Sequence, residues 1–286
     1  MVQQLICSIL TAVALVLPFS STAQSQLTYT VNNGTVAITG YSQPLGPTGP
    51  LLIPDTINGL PVTDIQGMSF YQHYYITSVV IGNNVTNIGA HAFDSCELMN
   101  SLTMGNNVTR IGDFAFTGCA NLTSVTIGSN VGLIDEGAFL VCDSLRFITI
   151  PASVTNVGVS AFMNDPFLTG IYFEGNMPIL GSNAVESRIY YLPGTTGWPA
   201  TNAGIATAVW NPQIQTGGSN FGLKANEFAF DVTGLSNMWF SVEACTDLSG
   251  ANWQPIQTNR FTNAVFHFSD PQATNFSTRF YRVQMP

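Results

Sequence analysis

Val108-Thr109-Arg110-Ile111-Gly112-Asp113-Phe114-Ala115-Phe116-Thr117-Gly118-Cys119-Ala120-Asn121-Leu122-Thr123-Ser124-Val125-Thr126-Ile127-Gly128-Ser129-Asn130 decides the fold, because its pattern recurs every 23 residues on both sides. Val62, Val85, Val108, Val131 and Val154 fall in one column, and Ile65, Ile88, Ile111, Ile134 and Val157 in a second. Phe70, Phe93, Phe116, Phe139 and Phe162 form a third, with Ala92, Ala115, Ala138 and Ala161 just before it. Three more apolar columns run through Leu122, Val125 and Ile127. Such self-similarity marks a solenoid, in which a coil too small to bury its own apolar face buries it against its neighbours.

Within a coil, Leu122-x-x-Val125-x-Ile127-x-x-Asn130 fits the L-x-x-L-x-L-x-x-N signature, whose alternating part is a short strand. One strand per coil predicts a parallel sheet with strands about 4.8 Å apart. The other half, from Val131 through Ala138-Phe139 to Cys142, is small and aromatic and predicts a short helical turn on the convex side. The expected class is therefore an α/β solenoid. Residues Val108 to Cys119 resemble the unit of the BspA-like subclass of bacterial leucine-rich repeat proteins, and the resemblance runs from Val62 to about Leu192. It departs at the ends, where His73 and Asp165 stand in the cysteine column and Val185 in the phenylalanine column. Terminal coils cap the core and are expected to be atypical.

Outside the repeats, Leu5 to Leu17 is an apolar run followed by Ser21-Thr22-Ala23, which reads as an export signal over residues 1–23. Residues 24–61 are expected to form a β cap around the Asn33-Gly34 hairpin signal. The solenoid with its C-terminal cap takes residues 62–212, and the polar, Gly-bearing stretch 213–220 reads as a linker. Residues 221–286 carry short alternating segments at Phe228 to Val232 and Phe240 to Ala244, which predict a small all-β sandwich.

The 286 residues are 45% hydrophobic and 8% charged, with 7 Lys plus Arg against 16 Asp plus Glu. A net charge of −9 with so few cations leaves no basic stripe for phosphates, so nucleic acid is excluded as a partner. Beyond the signal no segment is long and apolar enough to span a bilayer, so no membrane span is expected in the mature chain. The acids fall in different columns, His73, His91 and His267 are dispersed, and no phosphate loop or nucleophile elbow appears. Neither an enzyme nor a cofactor is expected.

His73, Cys96, Cys119 and Cys142 share a column and offer the donor types of a zinc site, but a ladder sets its outer members about 14 Å apart, too far for one metal. Buried thiols packing as small apolar groups are the expectation, and no metal is. Asn84, Asn107 and Asn130 recur at the strand-to-turn corner and are expected to bond backbone groups there. The outward strand positions are mostly small: Ser78, Ser101 and Ser124 in one column, and Val80, Thr103 and Thr126 in the other. In later coils they change, and Arg146, Phe147, Thr149, Tyr172 and Glu174 form the candidate binding patch. The alternative is that the C-terminal module or the Trp198 loop covers those aromatics. Trp239 and Trp253 read as core. The resemblance implies a secreted or cell-surface scaffold that binds a protein or glycan, as adhesion proteins do. A secreted carbohydrate-binding or carbohydrate-processing protein on a β-solenoid is the second reading.

Overall fold

The computed structural model describes residues 26–42, 48–224, 226–250 and 252–286. The expected export signal lies outside them. Leu27–Asn32 and Thr35–Tyr41 form an antiparallel hairpin closed by Asn33 and Gly34, both at positive φ. Two consecutive residues at positive φ make the tight turn that matches strand twist. The second strand of the hairpin pairs in parallel with Leu60–Ile65, so the hairpin adds to the solenoid instead of standing apart from it.

Two parallel ladders run the length of the solenoid. The first joins Leu60–Ile65, Asn87–Ile88, Arg110–Ile111, Leu133–Ile134, Asn156–Val157 and Ile179–Leu180 in one sheet with the hairpin. Threonines rank along its outer margin: the Thr86 and Thr109 side chains each donate to a carbonyl one coil back, Thr63 and Thr86 respectively, and Thr155 donates to Gly132. The second ladder carries the predicted strands and is divided. Gly49–Ile53, Ile76–Ile81, Ser101–Thr103 and Ser124–Thr126 form one sheet, while Phe147–Ile150, Gly170–Phe173, Ile189–Tyr191 and Ile205–Val209 belong to another.

The expected convex helix is absent: among the described residues the only helical element is a 3-10 turn at Ala273–Asn275. The class is a β-solenoid, and α/β was wrong. The reason lies in the backbone of the turns, where two positions per coil adopt positive φ. Met68, His91, Phe114, Gly137, Ser160 and Asn183 make one column, and Gln72, Ser95, Gly118, Val141 and Asn164 the other. Left-handed residues so closely spaced stop a right-handed helix from propagating. The amides turn to the next coil instead: Phe70, Phe93, Phe116, Phe139 and Phe162 donate to the carbonyls of Ala92, Ala115, Ala138, Ala161 and Ala184 at 2.8 to 3.0 Å. A third, irregular ladder of hydrogen bonds thus replaces the helix.

Inside, like touches like. The rings of Phe70, Phe93, Phe116, Phe139 and Phe162 stack with centroids 5.0, 5.2, 5.3 and 5.4 Å apart and planes within 12°. All five are buried. Close coil spacing also demands glycine at one corner. A Cβ on Gly105 would lie 2.3 Å from the Gly82 carbonyl oxygen, and one on Gly128 2.2 Å from that of Gly105.

Past the repeats, Gln213–Gln215, Gly222–Lys224 and Val265–Asp270 pair antiparallel with Glu227–Thr233. Gln254–Arg260 and Phe280–Gln284 flank Trp239–Cys245. Residues 213–215, expected as linker, are therefore a strand. The apolar residues of both sheets, including Phe230, Phe240, Phe261 and Phe268, form one buried cluster.

Candidate binding face

The candidate face is the outer side of the divided strand ladder, and its two halves have different fates. In the early half, Ser78, Ser101 and Ser124 are in register, as are Val80, Thr103 and Thr126. Ser124 is exposed and the others are half-buried. These six positions are uncharged, and all but Val80 carry a hydroxyl.

The late half is covered. Tyr172 and Tyr190 stack at 4.8 Å and are both fully buried, in the same cluster as Trp210, Met238, Phe240 and Met285 of the C-terminal segment. Phe147 lies 5.0 Å from the Trp239 ring. Polar contacts fix the seat: the Trp239 backbone amide donates to the Tyr172 hydroxyl, and the Trp239 indole to Thr169 Oγ1 at 2.8 Å. The Trp210 indole donates to the Trp239 carbonyl at 2.9 Å, and Thr149 Oγ1 to the Pro286 carbonyl at 2.6 Å. Burial pushes the Tyr172 phenol above its ordinary range, so it stays protonated in its place.

Of the five residues expected to make the patch, Phe147, Thr149 and Tyr172 come together beneath the C-terminal strands and do not face solvent as a patch. Arg146 is exposed just before the strand Phe147–Ile150, and Glu174 is half-buried just after Gly170–Phe173, its carboxyl pushed up by burial. Large aromatics at outward positions mark where a second body docks, whereas the Ser and Thr positions stay open. Trp239, which clamps the seat, is half-buried and carries Arg260 5.8 Å above its ring. Its sequence signal was the strand alternation, which placed it in the module and did not reveal its partner.

The cysteine column is a hydrogen-bonded ladder. Cys96, Cys119 and Cys142 are free and buried, and their thiols reach the carbonyls of Phe70, Phe93 and Phe116 at 3.3, 3.4 and 3.4 Å. Burial pushes the Cys96 thiol up to about 12 and the other two well above their ordinary value, which disables them as nucleophiles and ligands. Among the described residues no group of three or more His, Cys, Asp or Glu can hold a metal. The corner asparagines divide the work differently from expectation. Asn84 donates to the Asp55 carbonyl at 3.0 Å, but the next two inter-coil bonds come from Asn83 and Asn106, which accept the amides of Asn106 and Ser129. Asn107 and Asn130 are exposed.

Stacked strands, the spine of rings and the thiol ladder define a leucine-rich repeat solenoid of the all-β kind. Residues 63–190 match the BspA type Leucine rich repeat region in six copies. Among solved structures, the T. pallidum leucine-rich repeat protein is 24% identical, covering 59% of this chain and 85% of that one with a TM-score of 0.48. A leucine-rich cell surface protein from Faecalibacterium prausnitzii A2-165 is 28% identical, covering 62% and 55% with a TM-score of 0.48. A leucine-rich repeat protein from Bacteroides capillosus ATCC 29799 is 29% identical, covering 52% and 95% with a TM-score of 0.36. No curated protein matches the chain. No helix of the described residues is long and apolar enough to cross a membrane.

Proposed function

We propose that the protein is a non-enzymatic binding or adhesion scaffold, displayed at the cell surface or released from the cell, and that a protein partner is engaged on the open half of the strand face. The observation that carries this reading is the division of that face. The chain spends its large aromatics on docking its own C-terminal segment and leaves Ser78, Ser101, Ser124, Thr103 and Thr126 uncovered in register. A rigid, uncharged floor of hydroxyls beside a wall of strands offers shape and hydrogen bonds without an ionisable group to drive chemistry. The apolar Leu5 to Leu17 run supports an exported location.

The test is saturable binding of the purified chain to immobilised extracellular proteins and, in parallel, to a glycan array, repeated with Thr103→Arg and Thr126→Arg. Arginine on this face adds bulk and charge without entering the core. The proposal expects a protein ligand whose binding both changes abolish. Binding that neither change alters, or a ligand found only among glycans, overturns it, and the second outcome favours the carbohydrate-binding reading.

A further inference from the structure

The last full turn of the solenoid is left uncovered, and the gap is chemically specific. Ile148 pairs with Ile171 across a step of 23 residues, but Ile171 pairs with Ile189, and Ile189 with Thr207, across steps of 18. The register between Phe162 and Val185 still spans 23 residues, so the shortening falls between Val185 and Ile189, in the turn that would carry the next cysteine-column residue. In earlier coils the amides of Gln72, Ser95, Gly118 and Val141 donate to backbone carbonyls of the following turn, at Asp94, Thr117, Leu140 and Met163. Asn164 has no such turn above it and donates to the Glu186 side chain at 3.1 Å.

The missing turn leaves a cleft of about 700 Å³ whose lining includes the polar Asp143, Asp165, Glu186 and Ser187 and the apolar Phe162 and Leu168. Asp165 replaces the cysteine of its column. Its Oδ1 accepts the Cys142 amide at 2.7 Å, whereas Oδ2 is buried without a hydrogen-bond partner, on a residue only 8% exposed. Ser187 Oγ, on the same cleft, is also buried and unpartnered. Two unpartnered polar atoms on residues that line one cleft are what a ligand's donors would satisfy, because a buried polar group without a partner is costly.

The lining suits a cation with an apolar stem. The carboxylates do not converge as a metal set, so a single small ion cannot reach them together. A guanidinium spreads five N–H donors over a plane, is weakly hydrated, and trails a methylene stem suited to Phe162 and Leu168. We propose that this end-of-solenoid cleft binds the arginine side chain of a partner protein, with the guanidinium on Asp165 Oδ2 and the neighbouring acids and the stem along the apolar wall. The site lies on the turn side of the molecule, away from the open strand face, so it stands or falls independently of that reading.

The Asp165 carboxyl is pushed up to about 8, first by burial and then by the charges of Asp143 and Glu186, against the pull of the Cys142 amide. A bound cation would draw off its proton, so affinity is expected to rise with pH through that value.

The experiment is calorimetric titration of the full chain with a capped Gly-Arg-Gly peptide, with the citrulline peptide as its neutral isostere. Asp165→Asn keeps an acceptor for the Cys142 amide and removes the charge. The proposal expects saturable binding of the arginine peptide, loss of about tenfold or more both with citrulline and in Asp165→Asn, and tighter binding as pH rises. Equal binding of the two peptides, or no saturable binding of the arginine peptide, overturns it whether or not the variant folds. Unchanged affinity in a folded Asp165→Asn, or calcium ion displacing the peptide at equal concentration, also overturns it.

Discussion

Asp165 shows how a single departure from a column carries information. A thiol in that column satisfies one carbonyl and remains neutral, as Cys142 does with Phe116. The carboxyl in its place is held neutral by burial, with its ionisation raised to about 8 against an ordinary carboxylate value near 4. The sign of its effect on stability follows by linkage. The folded chain binds this proton more tightly than the unfolded chain, so the stability it contributes is complete below about pH 4 and is lost as pH rises through about 8. Asp143 and Glu186 line the same cleft and the Cys142 amide donates to this carboxyl, and the Cys142 thiol stays protonated throughout this window. Asp165→Asn removes the titration. Urea unfolding of the two chains at several pH values should show the asparagine variant gaining on the native chain as pH rises from about 4 to about 8. A constant difference across that window contradicts the buried neutral carboxyl.

At the scale of the element, the spine of five phenylalanines is the interaction that the repeat cannot lose locally. Each interior ring stacks on both faces, and offset pairs of this kind contribute about 0.5 to 1.5 kcal/mol beyond the area they bury. Phe116→Ala breaks two stacks and leaves a cavity between Phe93 and Phe139, so it should destabilise the solenoid by about 3 to 5 kcal/mol in denaturant unfolding. A loss below about 1 kcal/mol would show that the coils do not close on a continuous core. The columns through Phe116, Ile111 and Val125 made the stacking and the strands legible in the sequence. They did not reveal the path of the turns. Ala138-Phe139 suits a helix as well as a stacked turn, and the deciding feature, positive φ at Met68, Phe114 or Val141, falls on residues that carry no left-handed signature. The glycines at 82, 105 and 128 recorded the tight corner, but their meaning depends on contact with the coil before them.

For the whole molecule, the arrangement reads as a rod whose later coils are roofed by its own C-terminal segment. The switch from Ser124 and Thr126 to Phe147 and Tyr172 was visible as a change in the outward columns, yet its meaning was open until Trp239 and Pro286 were placed above it. A strand pattern says which side chains face outward without saying what meets them. The early face and the end cleft remain as the surfaces on which a partner could act, and both depend on successive coils lying in register.

That register can be measured along the threonine rank with pairs of spin labels on cysteines introduced at Thr63, Thr86, Thr109 and Thr155, since Cys96, Cys119, Cys142 and Cys245 are buried. Parallel stacking predicts separations that grow by about 5 Å per coil, with Thr63 and Thr155, four coils apart, near 19 Å before the reach of the labels. Separations that fail to increase with the number of intervening coils would contradict the solenoid, and with it the spine, the open face and the cleft.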